Sequence, residues 1–348
     1  MGTLTLSDLR SRGRQFGIAV GATGLLLLVV LLVLGMAEGF RAEVRRTVAA
    51  TGADAFVVAP GSSGPFIGAP GMPIGNVARV RETPGVTDAA PLVVTDSAVP
   101  HGKGVLGVHV VGYLPGRLGQ PPTASGRAAT APGEVVADQV TKLRLGAHVR
   151  IGAVDHVVVG TTKGLTYQAG VPELFVVLAD AQDLAYGRHD IVTAVAVRGT
   201  PRQAPAGLVL MSRSRVETLT LRPLKNAVRT IDGLTGLLAV VSSVVIAAVI
   251  YLSALERRRD FAVLKAIGAT GRQLYTGLLA QSLVTALGAA AIALALIRFA
   301  VKATPLIVEI PGYAMAALPV VAVLIGALAS LAGLRPAVDV DPALAFGA

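Results

Sequence analysis

Along the chain, four uncharged apolar runs alternate with polar stretches: residues 17–37, 233–255, 273–297 and 313–334. Each is long enough for a helix to cross a bilayer, which takes roughly 20 residues. The first run holds 21 residues without a charge, about 31 Å as a helix. A signal peptide would have an apolar core of about 7–15 residues with a cleavage site close behind. The one nearby A-x-A, Ala53-Asp54-Ala55, lies too far downstream. The first run therefore reads as a retained transmembrane helix.

Between the first and second runs the periodicity changes to that of a folded α/β domain. Strands are expected at 55–59, 86–99, 105–113, 134–137, 148–151, 156–160, 174–178 and 191–198, with short helices at 76–82 and 180–186. Gly/Pro/Ser-rich loops fill 60–73 and 114–132. Strands of this length and spacing suggest a small β-barrel or sandwich with helices inserted. Polar, helix-compatible segments flank this domain at 39–51 and 212–228, and Pro223 should kink or divide the second.

The pattern thus predicts an α-helical membrane protein with four transmembrane helices plus a large extracytoplasmic α/β domain inserted between the first and second. The expected boundaries are an amphipathic cytoplasmic segment at 1–15, spans at 16–38, 229–255, 273–297 and 313–335, and an external domain at 39–228. A cytoplasmic connection follows at 256–272, a short external loop at 298–312 and a cytoplasmic tail at 336–348. The alternative for residues 1–15 is a disordered tail.

Orientation follows from charge. Arg257, Arg258, Arg259, Lys265 and Arg272 crowd the connection between the second and third runs, and short loops rich in Lys and Arg stay cytoplasmic. Arg298 and Lys302 run against that trend with two charges. An even number of spans then puts both termini in the cytoplasm.

The connection itself is the strongest local signal. Glu256 to Ile267 is composed of helix formers, and Gly268 then Gly271 supply a stop. Phe261, Leu264 and Ile267 recur at three-residue steps, giving an apolar stripe beside a charged face. Two readings stand: a basic anchor at the lipid headgroups, or a docking helix that presses on a cytosolic partner. The stripe favours docking, although a helix lying in the interface would also carry one.

Composition agrees with a membrane protein. Of 348 residues, 53% are hydrophobic and 15% charged, against about 25% charged in ordinary soluble domains. There is no cysteine, hence no disulfide or thiolate metal site, and no tryptophan. The net charge of +10 lies beside apolar runs, which points to anionic lipid headgroups rather than nucleic acid.

The chemistry-bearing motifs are few. No lysine precedes Ser or Thr: Lys103, Lys142, Lys163, Lys225, Lys265 and Lys302 are followed by Gly, Leu, Gly, Asn, Ala and Ala. The phosphate loop of ATPases is therefore missing from the sequence. Gly102 to Gly107 matches G-x-G-x-x-G, but a strand pattern follows, so it reads as a hairpin turn. The five histidines show no metal spacing, and neither Asp155-His156 nor His189-Asp190 reads as catalytic. No charge lies within the four apolar runs, where an ion pathway usually needs one. Their Ser, Thr and Gln residues are expected to tie helices together. Gly17 with Gly21, and Gly326 with Ser330, offer small faces for helix packing.

The segment Glu256-Arg257-Arg258-Arg259-Asp260-Phe261-Ala262-Val263-Leu264-Lys265-Ala266-Ile267-Gly268-Ala269-Thr270 resembles the cytoplasmic loop of FtsX/MacB-type ABC transporter permeases. Leu331 to Pro336, followed by Asp341-Pro342-Ala343, is similar to that family's ending. The resemblance extends over the chain in architecture and implies a mechanotransmission permease without chemistry of its own. It implies that Glu256, Arg257, Arg258, Asp260, Phe261, Leu264, Lys265 and Ile267 contact a separate ABC ATPase. ATP and magnesium would belong to that partner, with no cofactor in this chain. A second permease copy or a similar permease, membrane lipids, and a periplasmic or cell-wall protein are the other partners it implies. The expected function is export or extraction of a lipid, lipoprotein, peptide or amphipathic drug across the bacterial inner membrane. The alternatives are an FtsX-like regulator that activates a cell-wall hydrolase, and a membrane-anchored sensor or adhesion module without an ATPase.

Overall fold

A computed structural model of the chain describes residues 13–102, 104–256, 270–304 and 307–338, with single positions 263 and 268. Its contacts divide into two units, Phe40–Asn226 and the described residues outside that range.

The first helix, α1, runs without a break from Gly13 to Ala50 and stops where Gly52 turns left-handed (φ 67°). Then come β1 (Ala55–Val58), β2 (Met72–Pro73), α2 (Asn76–Arg81), β3 (Val86–His101), β4 (Gly104–Tyr113), β5 (Ser125–Gly126), β6 (Glu134–Asp138), β7 (His148–Ile151), β8 (Val154–Thr162), β9 (Thr166–Tyr167) and β10 (Val171–Val177). The unit closes with α3 (Leu178–Tyr186), β11 (Ile191–Val192), β12 (Ala194–Gly199), β13 (Val209–Ser212) and α4 (Arg213–Thr220).

Neither a barrel nor a two-sheet sandwich forms. Eleven strands make one mixed sheet in the order β13-β1-β12-β3-β4-β10-β6-β8-β5, with β7 on β8 and β9 on β10. Strand β3 is long enough to serve two neighbours: Val86 to Leu92 pair with β12, and Val93 to His101 pair with β4. That double use keeps the sheet continuous where shorter strands would have split it. The β4–β10 and β6–β8 pairs are parallel, and the other pairs antiparallel.

Alternation along the strands buries both faces. On one face Phe56, Leu92, Val111, Phe175 and Met211 meet Val44 and Val48 of α1 and Val216 and Leu219 of α4. On the other, Val57, Val93, Val110, Leu174 and Val195 meet Val77 and Val80 of α2 and Leu178 and Ala181 of α3. Residues 40–50 are thus built into the domain core, and two of their polar residues, Glu43 and Thr47, are buried there with Val44 and Val48. Burying a Val of this kind stabilises the fold by about 1.5–3 kcal/mol.

Local expectations compare closely with what forms. His101 pairs with Gly104 across a turn at Gly102 (φ 58°), so the glycine motif is a hairpin. Pro223 does divide the segment after β13: α4 ends at Thr220, a 3-10 turn covers Arg222–Leu224, and α5 starts at Lys225. Ser212 opens α4 by accepting the Arg215 N–H on its hydroxyl at 3.3 Å.

In the other unit, α5 runs to Glu256, α6 spans Gly271–Ala303 and α7 spans Gly312–Val338. Among the described residues, three stretches are long and apolar enough to cross a membrane: Val20–Ala50, Arg222–Val249 and Leu279–Ala303. A shorter apolar stretch, Gly312–Leu328, lies within α7.

Candidate functional site

The residues singled out for partner docking sit between α5 and α6. Glu256 is the last residue of α5. Arg257, Arg258, Asp260, Phe261, Leu264, Lys265 and Ile267 lie outside the described residues. The end of the connection is defined: Gly268 is left-handed (φ 98°), and Thr270 begins α6 with its N–H donated to Gln273 Oε1 at 3.0 Å. That arrangement is one half of a capping box.

Of the two helices that flank the connection, α6 is packed through small residues. Ala286, Ala289, Ala290 and Ala293 form a stripe along α6. Val20, Leu27, Leu28 and Leu31 of α1 and Ala314, Leu318 and Ala322 of α7 pack in the same cluster. Gly326 belongs to this packing, since a Cβ added there would lie 3.3 Å from the Ser282 carbonyl oxygen and 3.5 Å from Ala286 Cβ. Ser330 is buried, and its hydroxyl donates to the Ala327 carbonyl of its own helix at 2.8 Å.

Gly17 and Gly21 face open space within this chain, with nothing within 4 Å of an added Cβ. The close approaches of α1 fall at other glycines. At Gly24 an added Cβ would come within 3.0 Å of Ile292 and of the Ala289 carbonyl oxygen. Gly35 and Gly39 repeat the same spacing and receive the segment after α6: a Cβ at Gly35 would meet Val308 Cγ1 at 2.7 Å, and one at Gly39 the Ile307 carbonyl oxygen at 2.2 Å. The Glu309 N–H also donates to the Gly35 carbonyl at 2.9 Å. Identical G-x-x-x-G spacing made these sites as visible in sequence as Gly17 and Gly21.

Hydroxyls in the apolar helices bond locally. Thr235, Ser243, Ser282 and Thr285 donate to Ile231, Ala239, Leu279 and Gln281 carbonyls three or four residues back in their own helices. The expectation that these groups tie helices together is not seen at these four positions.

In the sheet unit the adjacent histidine–aspartate pairs separate. His156 meets Asp180 at 3.2 Å instead of Asp155, and His189 meets Asp183 at 2.8 Å while Asp190 pairs with Arg188. Asp155 and His156 are neighbours in β8, where successive side chains point to opposite faces, and His189 and Asp190 lie in the bend between α3 and β11. The long loop after β4 is pinned by Tyr113, whose buried hydroxyl donates to the Ala129 carbonyl at 2.9 Å. Arg127 grips Glu134 and holds its carboxyl down at about 2.

Comparison with known proteins places this arrangement. The FtsX-like permease C-terminal family matches residues 233–342, which contain α6, α7 and the charged connection. An uncharacterized ABC transporter permease of Mycobacterium tuberculosis is 40% identical over 342 residues, covering 98% of each chain. Another from Mycobacterium bovis is 39% identical with the same coverage. Among solved structures, the extracellular domain of the noncanonic ABC-type transporter YknZ aligns over 45% of this chain and 98% of its own, at TM-score 0.34 and 12% identity. The periplasmic region of MacB from Actinobacillus actinomycetemcomitans aligns over 50% and 96%, at TM-score 0.36 and 10% identity. With relatives at this identity matching almost end to end, the chain belongs to the ABC transporter permeases, and its residues 233–342 match the FtsX-like permease C-terminal family.

Proposed function

We propose that this chain is the permease subunit of an ABC transporter whose ATPase is a separate chain, and that residues 256–270 are its coupling helix. One observation carries the reading. A short charged segment with an apolar stripe, Phe261, Leu264 and Ile267, sits between two uncharged runs inside the stretch that matches the permease family. The absence of G-K-[ST] from the sequence supports a partner that binds ATP and magnesium.

In this reading the protein lies in the bacterial inner membrane with four spans and both termini in the cytoplasm. Two permease copies, or this chain and a similar one, supply eight helices. An ATPase dimer grips the two coupling helices, and ATP binding draws them together. The apolar helices carry that motion to the external domains, where a lipid, lipoprotein, peptide or amphipathic drug is captured for export or extraction. No charged residue lies within the four apolar runs, which favours transmission of motion over conduction through the bundle.

The same observation serves a second reading, in which the motion activates a cell-wall hydrolase and no cargo moves. Purification of the tagged chain from native membranes tests the proposal. A stoichiometric ATPase carrying a phosphate loop should co-purify, and its hydrolysis should rise on adding the permease. A permease that comes out alone and leaves every candidate ATPase unstimulated would overturn the assignment. A deletion that blocks export supports transport, and one that changes only cell-wall hydrolysis supports the regulator.

A further inference from the structure

One row of polar side chains crosses the sheet face that α1 covers. Strand register sets Asp96 of β3 opposite His109 of β4, and His109 opposite Glu173 of β10. The pairing of Leu174 with Ala137 and Phe175 with Val136 brings Asp138 of β6 alongside Glu173, and Asp138 pairs with Thr162 of β8. Period-two alternation puts this row on the same face as Val94, Val111, Phe175 and Val136, which pack with Val44 and Val48 of α1.

The row has a wet end and a dry end. The Asp96 side chain is 85% exposed, whereas His109, Glu173 and Asp138 are buried. Two carboxylates near the dry end have the donors an anion needs. Asp138 accepts from the Val140 N–H, the Thr162 hydroxyl and the Leu165 N–H at 3.0, 2.9 and 2.8 Å. Glu43 of α1 accepts the Ala169 and Gly170 N–H groups at 3.0 and 2.8 Å, turned inward by left-handed backbone at Gln168, Ala169 and Gly170. The Thr47 hydroxyl adds a bond to the Thr166 carbonyl at 2.9 Å. These three bonds hold the turn between β9 and β10 against α1.

Glu173 lacks such donors. Its Oε1 is buried with no partner among the described residues, and so is Nε2 of His109. The Asp96 carboxylate can only accept, so His109 Nδ1, at 2.8 Å, carries the hydrogen of that bond. In the neutral ring Nε2 is then an acceptor. Glu173 and His109 make no bond to each other, and an ionised Glu173 adds a third buried carboxylate to Glu43 and Asp138. Stacking of Tyr167 on the His109 ring, centroids 4.0 Å apart, closes the site from β9.

We propose that Glu173 is a proton-binding site in the external domain and that losing the proton releases the 165–170 turn from α1. The groups facing it are Glu43 on α1, His109 on β4, Asp138 on β6 and Tyr167 on β9, with Asp96 on β3 beyond His109. Burial first, and then the charges of Asp138 and Glu43, push the Glu173 carboxyl up to about 8. Burial also holds the Tyr167 hydroxyl above its ordinary range, so it stays neutral. The docked turn binds this proton more tightly than the released one. Docking is therefore fully favoured below the ordinary carboxylate range, weakens by roughly tenfold per pH unit as pH rises, and levels off above about 8.

The chain has no cysteine, so Thr166→Cys puts a single thiol at a buried position whose hydroxyl has no partner. Alkylation of this thiol is followed in the full chain in nanodiscs, normalised at each pH to the same thiol in the unfolded chain. The normalised rate should rise by roughly tenfold per unit between about pH 6 and 8 and become flat when Glu173→Gln is added. A flat rate with Glu173 present, or the same slope with Glu173→Gln, overturns the proposal. Should Glu173→Gln not fold, infrared spectra of the parent chain labelled with 13C-glutamate decide it. A protonated-carboxyl band that persists at neutral pH and disappears on titration through about pH 8 supports the site, and its absence at neutral pH overturns it.

Discussion

Gly39→Ala should destabilise the helical unit far more than Gly21→Ala, although the two changes are chemically the same. A Cβ at Gly39 would fall 2.2 Å from the Ile307 carbonyl oxygen and 2.9 Å from its carbon, both backbone atoms that cannot rotate away. The segment after α6 must then move off α1, and the Glu309 N–H bond to the Gly35 carbonyl goes with it. Overpacking of this kind costs about 1–3 kcal/mol, and the hydrogen bond adds about 1 kcal/mol. The expected loss is about 2–4 kcal/mol. At Gly21 nothing lies within 4 Å of the added methyl, so the change should stay within about 0.5 kcal/mol. The assay is reversible SDS unfolding of the purified chain in mixed micelles, followed by near-ultraviolet circular dichroism of its tyrosines. Equal midpoints for the two variants would refute the packing described for α1.

Other predictions follow from single contacts. Tyr113→Phe removes the hydroxyl that satisfies the buried Ala129 carbonyl, and should lower domain stability by about 1–3 kcal/mol in denaturant titration; an unchanged midpoint would mean that the loop is held by other contacts. On the proposed topology, cysteines introduced at Ser11, Ser125 and Ala343 should give labelling by an impermeant thiol reagent in intact cells only at Ser125. Labelling at Ser11 or Ala343 contradicts cytoplasmic termini.

Much of this architecture is legible in the sequence because it rests on short-range patterns. Uncharged runs mark the apolar helices, Gly102 before a β-branched run marks the hairpin, and Pro223 marks the break before α5. What escapes sequence reading depends on partners distant in the chain. Glu173 precedes the expected strand at 174–178, and nothing local says that a glutamate there is buried. Its surroundings come from β4, β6 and α1, more than a hundred residues away in the case of Glu43. Val209 to Ser212 belong to the sheet because β1 offers them an edge, a pairing across about 150 residues that no local period reveals. The barrel or sandwich expectation fails for a similar reason. Strand lengths are visible, but the pairing of β3 with both β12 and β4 is a property of the folded chain.

The proposed coupling runs from residues 256–270 of this permease to its ATPase. Its most direct test compares Phe261→Ala with Arg272→Ala in ATP hydrolysis by the reconstituted permease–ATPase complex, with membrane insertion as the control. Truncating an apolar anchor seated in a partner's groove costs about 2–4 kcal/mol, whereas an exposed charge contributes about 0–1 kcal/mol. Phe261→Ala should therefore insert normally, fail to retain the ATPase and lose most of the stimulated hydrolysis, while Arg272→Ala behaves as the parent. A Phe261→Ala permease that binds and stimulates the ATPase like the parent would contradict the claim.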